Sequence, residues 1–171
     1  MNKVTVKDSF PIPNISDILD SLGESKYFST LDLKSGFFQI AIDENSRHFT
    51  AFTCKNGLFQ FKRLPFGLQN SPSIFSRLMQ HVLAGVNRKI CYSYINDVIV
   101  FGKSIIEHME NLQTIFARFQ RFNLKLNPKK CNSFQTHIKF LGHTISEEGV
   151  SVNDDKIKVI KDHPVPNNKK S

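Results

Sequence analysis

The sequence predicts an α+β domain, a small antiparallel sheet backed by two helices. Three observations predict it. Short β-rich runs recur on either side of two segments with helical apolar spacing. Two apolar β arms, residues 90–95 and 98–101, flank the turn formers Asn96-Asp97. The length of 171 residues and the 40% apolar fraction suit one globular domain.

The elements follow in order. Asn14 can cap a helix over residues 14–22, whose stripe is Ile15, Ile18, Leu19 and Leu22 and whose end is Gly23. Residues 27–33 read as a strand with Asp32 near its end. Three shorter strands are expected at 37–42, 49–53 and 58–62. They are separated by Asp43-Glu44-Asn45-Ser46 and by Lys55-Asn56-Gly57, the latter an Asn-Gly hairpin signal. Ser71 as N-cap and Pro72 at the first helical position open a second helix carrying Phe75, Leu78, Met79 and Val82. The arms around Asn96-Asp97 predict a tight hairpin with those two side chains at its tip. Ser104 and Glu107 form a capping box for a third helix. Its predicted apolar face is Ile105, Met109, Leu112, Phe116 and Phe119, and Pro128 stops it. Short strands are expected around 131–134, 138–141 and 143–146, with Glu148-Gly149 as a turn. Residues 164–171 read as a loose polar tail.

Composition narrows the function. The 23 Lys and Arg against 15 Asp and Glu give +8, and the isoelectric point is near 9.5. A basic folded domain suggests a polyanion partner, nucleic acid first. The 16 Phe with no Trp suit a core that asks for few hydrogen bonds. No apolar run approaches the ~18 residues of a membrane span, so no membrane partner is expected. No leader peptide is visible at the N-terminus. Cys54, Cys91 and Cys131 are odd in number and scattered, which points to a reducing intracellular compartment, cytoplasm or nucleus. Cys131, His137 and His143 lack a Cys-x-x-Cys partner, so zinc is a poor reading. Asn14-Ile15-Ser16 is a glycosylation sequon in form only.

Two acids carry the chemistry. Asp32 lies between Leu31 and Leu33, and Asp97 precedes Val98-Ile99-Val100. A carboxylate beside a buried strand is costly unless something offsets it. Either alone reads as a solvated turn or strand end. Together they suggest a site for Mg²⁺ or Mn²⁺ where two strand ends meet, the device used for in-line phosphoryl chemistry.

The segment Tyr27-Phe-Ser-Thr-Leu-Asp32-Leu-Lys-Ser-Gly-Phe37-Phe-Gln-Ile resembles the first catalytic motif of reverse transcriptases of gypsy-type LTR retrotransposons. Leu64-Pro-Phe-Gly-Leu-Gln-Asn-Ser-Pro72-Ser-Ile-Phe75 is similar to their second motif. Tyr94-Ile-Asn-Asp97 stands where that family has Tyr-x-Asp-Asp. Asn127-Pro-Lys-Lys-Cys131 and Phe140-Leu-Gly-His-Thr-Ile145 match the two motifs that follow.

The resemblance implies a right-hand polymerase palm, a ferredoxin-like antiparallel sheet backed by two helices, with partial fingers. Residues 1–163 would be the partial fingers, palm and start of the thumb, and 164–171 the tail. Asp32, Asn96 and Asp97 would occupy the catalytic positions. Asp32, the main-chain carbonyl of Leu33 and Asp97 would ligate metal, two Mg²⁺ or Mn²⁺ ions in the family. Phe37 would lie under the incoming sugar and disfavour a 2′-hydroxyl. Phe66 and Gly67 would approach the nucleotide and template, and Leu141-Gly142 would grip the primer. The partners implied are an RNA or DNA template-primer and a dNTP.

Two departures temper this. Asn96 replaces an aspartate, and an amide lacks the charge that offsets repulsion between two metal ions. Residues 2–11 resemble the segment just after the family's fingers strands. The triphosphate clamp, most of the thumb and the RNase H, protease and integrase segments would therefore come from another chain. The expected function is RNA-directed DNA polymerisation in ancestry, impaired or inactive here. The alternative is a non-catalytic nucleic-acid-binding or interaction module domesticated from a retroelement. Exposed apolar surface near Ile138, Phe140 and Ile145, with poor solubility, is also expected.

Overall fold

The computed structural model describes residues 2–11, 13–22 and 24–152, so the predicted tail and Gly23 lie outside the described residues. Helix α1 (Ile15–Asp20) begins where the Asn14 side chain accepts the Ser16 N–H, as a capping asparagine should. Strand β1 (Tyr27–Asp32) follows. The strand expected at 37–42 is instead a short 3-10 turn, Gly36–Gln39. Ser35 adopts φ 49° there, and the Gln39 amide donates to the carbonyls of Lys34 and Lys125 at 2.7 and 2.9 Å. Those bonds fold the segment over the sheet rather than beside it.

A second 3-10 stretch, Glu44–Thr50, is capped by Asp43 and delays the next strand. Strands β2 (Phe52–Cys54) and β3 (Gly57–Phe59) then form a separate two-stranded hairpin whose turn is Lys55-Asn56. Helix α2 (Ser71–Val82) starts at its predicted cap residue, one position earlier than expected. Asn70 is the cap residue, and the Ser71 hydroxyl donates to the Pro65 carbonyl at 3.0 Å. Strands β4 (Cys91–Tyr94) and β5 (Asp97–Gly102) form the central hairpin, and helix α3 (Ile105–Arg121) has the expected Ser104–Glu107 cap. Helix α3 ends at Asn123 in the left-handed region, well before Pro128. Strands β6 (Asn132–Gln135), β7 (His137–Phe140), β8 (His143–Ser146) and the unpredicted β9 (Gly149–Val152) complete the described chain.

The central sheet is antiparallel in the order β4-β5-β1-β6. Alternation gives it two apolar faces. One, with Leu31, Val98 and Val100, packs against Phe75 and Met79 of α2 and Leu112, Ile115 and Phe119 of α3. Buried among these layers, His108 Nε2 lies 2.7 Å from the Ser29 hydroxyl, and desolvation holds its imidazole below the usual range. The other face, with Phe28, Tyr92, Ile99 and Phe101, packs against α1 and against the three-stranded sheet β7-β8-β9. Ile138, Phe140 and Ile145 are therefore core, 4%, 4% and 1% exposed, and the expectation of an apolar surface there is wrong. The apolar surface lies elsewhere. Of the predicted α3 face only Leu112 and Phe119 are buried, joined by His108, Asn111 and Ile115, while Ile105, Met109 and Phe116 face outward. No described helix is long and apolar enough to cross a membrane.

Candidate active site

The register of β1 and β5 decides where the two acids lie. Asp32 pairs directly with Asp97, the last residue of one strand with the first of the next. Asp32 follows Phe28 and Thr30 at steps of two, and Asp97 precedes Ile99 and Phe101 likewise. Both carboxylates thus point to one side of the sheet. The acids predicted to converge do converge.

The hairpin tip differs by one residue from the sequence expectation. Tyr94 pairs with Asp97, so the turn is Ile95-Asn96 and Asp97 is already in the strand. Ile95 sits at φ 52°, a conformation that β-branched residues avoid at a cost on the order of 1–3 kcal/mol. The main chain pins this turn, since the Leu33 N–H donates to the Asn96 carbonyl at 3.2 Å. The Asn96 side chain rests against Gly36: a Cβ placed there would lie 2.2 Å from Asn96 Oδ1. That oxygen is buried and has no hydrogen-bond partner.

The carboxylates open into a cleft of about 230 Å³ that also receives Lys130, Lys139, Phe140 and Leu141. Lys130 Nζ stands 3.9 Å from Asp32 Oδ2. Burial, and next the neighbouring Asp32, push the Asp97 carboxyl above its usual range, while Lys130 opposes them. Among the described residues no three His, Cys, Asp or Glu side chains gather as a metal-binding group. Cys131, His137 and His143 do not form one either. The oxygen donors this cleft offers a hard cation are the carboxylates of Asp32 and Asp97.

The raised Asp97 group makes a stability prediction. The folded state holds its proton more tightly than the unfolded chain, so ionised Asp97 costs stability at neutral pH. That cost fades as pH falls towards the ordinary carboxyl value of 3.8. Asp97→Asn is expected to raise the thermal midpoint at pH 7 and to lose the advantage below pH 3.8. An unchanged midpoint at pH 7 would mean that neither burial nor Asp32 disfavours the ionised Asp97.

Phe37, Phe66 and Gly67 form a second group, next to the first through Gly36, which lies against both Asn96 and Phe75. Phe37 is buried, with Phe75 at 5.7 Å and Phe66 at 5.1 Å between ring centroids. Phe66 itself is 58% exposed above it. Gly67 adopts φ 86° and accepts the Asn2 amide at 2.7 Å, and Asn2 also accepts from the Gln69 N–H. Leu141 and Gly142, at φ 49° and 80°, form the β7–β8 turn, and Leu141 lines the carboxylate cleft. Sequence reasoning gave no role to Lys130, Lys139, Gly36 or Asn2. Lys130 lay inside a recognised motif, but no local pattern announces a cation folded back onto Asp32.

The family described as "Reverse transcriptase (RNA-dependent DNA polymerase)" matches residues 1–145. The chain belongs to the reverse transcriptase family. It is 45% identical over 166 residues to the retrovirus-related Pol polyprotein from transposon 412 of Drosophila melanogaster, covering 97% of this chain and 13% of that polyprotein. To the Pol polyprotein from transposon gypsy of the same species it is 38% identical, covering 97% of this chain and 16% of the polyprotein. The enzymatic polyprotein of figwort mosaic virus is 41% identical over 86% of this chain and 22% of its own length. The chain thus spans less than a quarter of these relatives. Among solved structures, the foamy viral protease-reverse transcriptase dRH in complex with double-stranded DNA superposes with a TM-score of 0.90 at 26% identity. That match covers 96% of this chain and 29% of the foamy viral chain. The foamy viral protein with an RNA/DNA hybrid gives a TM-score of 0.87 at 26% identity, over 96% of this chain and 22% of its own. The reverse transcriptase palm expected from the sequence is therefore the fold, and the chain is a reverse transcriptase domain of retroelement Pol polyproteins.

Proposed function

We propose that the Asp32–Asp97 cleft of this reverse transcriptase domain is a nucleotidyl-transfer centre for RNA-directed DNA synthesis, impaired by Asn96. The observation that carries the reading is the direct pairing of two carboxylates across adjacent strands, on one face, at the mouth of a cleft. Divalent cations supply Lewis-acid charge to the attacking hydroxyl and the phosphate in such centres.

The remaining contributions belong to the chain. Asp32, Asp97 and the Leu33 carbonyl would hold Mg²⁺ or Mn²⁺. The rigid β1–β5 pairing fixes the two carboxylates before any ligand arrives. Phe37, braced by Phe75, would form a floor beneath the deoxyribose of a dNTP and leave no room for a 2′-hydroxyl. Phe66 and Gly67 would approach the nucleotide and template, with Asn2 steadying that loop. Leu141 and Gly142 would position the primer end of an RNA or DNA template-primer. Lys130 would balance the carboxylates while no cation is present.

Asn96 is the weak point. It offers a neutral oxygen, and that oxygen rests against Gly36. Primer extension on an RNA template, with Mg²⁺ and separately with Mn²⁺, tests the reading. No extension is expected from the unmodified chain in either metal. Clear extension would overturn the impairment, while failure to bind a primer–template duplex at all would overturn the polymerase reading.

A further inference from the structure

We propose that the outward face of α3 is a self-association surface, on which a second copy of the chain lays its own α3 antiparallel about a two-fold axis beside Gln113. The inference goes beyond the nucleotidyl-transfer reading and does not depend on it.

Two seams run along α3. One is buried in the domain and consists of His108, Leu112, Ile115 and Phe119. The other is Ile106, Met109, Gln113, Phe116 and Gln120, all exposed, at alternating steps of three and four. That spacing is the one by which two helices pack side by side at a shallow angle. Helical geometry sets these five and Ile105 within one arc of about 100°. None of the six is charged, and four are apolar. Ile106 is 71% and Met109 47% exposed, with Ile105 and Phe116 beside them. A contiguous apolar patch with a polar rim marks an interaction surface.

Charge selects the occupant and its direction. The acids of α3, Glu107 and Glu110, lie in its first half, and its basic residues, Arg118 and Arg121, lie in its second. A parallel copy would set acid against acid and base against base. An antiparallel copy sets each against its opposite, so one patch serves both molecules, as two-fold symmetry requires. The exposed seam is also symmetric about Gln113. An axis there places the Gln113 amides face to face, where each can donate and accept. It sets Met109 of one copy on the Phe116 ring of the other, a favourable sulfur–aromatic contact. Glu110 and Arg121 flank the seam on the same side, and the antiparallel arrangement sends Glu110 of each copy towards Arg121 of the other. The net charge of +8 does not oppose this contact locally, because two acids and two arginines balance on α3. Nucleic acid finds no cation within the arc. The contact would bury on the order of 1,000 Å² in total, the low end for a specific interface, so the dimer forms and dissociates with concentration.

Sedimentation equilibrium of the 171-residue chain over a range of protein concentrations, without nucleic acid, tests the proposal. A monomer–dimer equilibrium is expected. Met109→Asp, at an exposed position where the fold tolerates it, is expected to weaken the dimer by more than about tenfold. Glu110→Arg and Arg121→Glu should each weaken it about tenfold, because each sets like charges together twice across the axis. The two substitutions combined in one chain should restore the affinity to within about twofold, since the swapped charges again meet their opposites. A chain monomeric throughout would overturn the proposal and leave the seam to a different partner. A dimer untouched by Met109→Asp would overturn it too, because the copies would then meet elsewhere. A dimer weakened by Met109→Asp that the charge swap fails to restore would overturn the antiparallel arrangement.

Discussion

Asn96→Asp is expected to tighten Mn²⁺ binding by more than the ~10-fold at the lower end of losses for groups that only support a metal ligand. The present side chain places a neutral, unpartnered oxygen against Gly36. A carboxylate in that pose would be a buried charge without a partner, which is among the costliest arrangements a protein can hold. It therefore has reason to leave Gly36 for the cleft, where it meets Asp32 and Asp97. Without metal that move crowds three acids, and the Asp97 carboxyl is already displaced upward by burial and by one neighbour. The metal-free variant should be less stable than the unmodified chain. Added Mn²⁺ should then raise its thermal midpoint more than it raises that of the unmodified chain, because a cation binding only the folded state stabilises it by mass action. Electron paramagnetic resonance titration of free Mn²⁺ gives the affinity directly. Equal affinities in the two proteins would show that Asn96 is not what limits the site. Tight binding that survives Asp32→Asn would place the metal elsewhere.

Much of this site was legible in the sequence because strand chemistry is local. Leu31-Asp32-Leu33 and Asp97-Val98-Ile99-Val100 announce acids at the ends of buried strands. Side-chain alternation then leaves only two faces to choose from. What the sequence could not show was register. Placing the tip at Asn96-Asp97 rather than Ile95-Asn96 is a one-residue slip, and propensity favours the slip because Asn and Asp are better turn formers than Ile. Tertiary pairing overrode that preference, since β5 must match β4 and β1 at once. The 3-10 turn at Gly36–Gln39 was illegible for a similar reason. Its Phe-Phe-Gln-Ile run has strand composition, yet Gln39 bonds to Lys125, a partner 86 residues away. The Lys130–Asp32 approach joins residues even further apart along the chain and has no signature in the sequence.

Ile145→Ala is expected to cost about 2–5 kcal/mol of stability, the range for removing a fully buried large aliphatic side chain. Ile145 pairs with Ile138 across β7–β8 and is 1% exposed. It belongs to the cluster that holds Phe28, Ile99 and Ile18, so it joins the small sheet to the far face of the central one. The sequence reading expected exposed apolar surface at this hairpin, near Ile138, Phe140 and Ile145. The fold brings it back over the strands that carry Asp32 and Asp97, and its turn supplies Leu141 to their cleft. The cleft and this part of the core are therefore one structure. Urea denaturation should show a lower midpoint for Ile145→Ala with the slope against denaturant unchanged, meaning that the whole domain still unfolds as a unit. Phe116→Ser is the matched contrast. Phe116 was expected to face the core of α3 but is 42% exposed, so its loss should cost no more than about 0.5 kcal/mol. If Phe116→Ser proved the more damaging of the two, the buried face of α3 would be the one its apolar spacing predicted. A loss below about 1 kcal/mol for Ile145→Ala would mean that β7–β8 packs only loosely on the sheet. Leu141 would then have no fixed place beside the carboxylates.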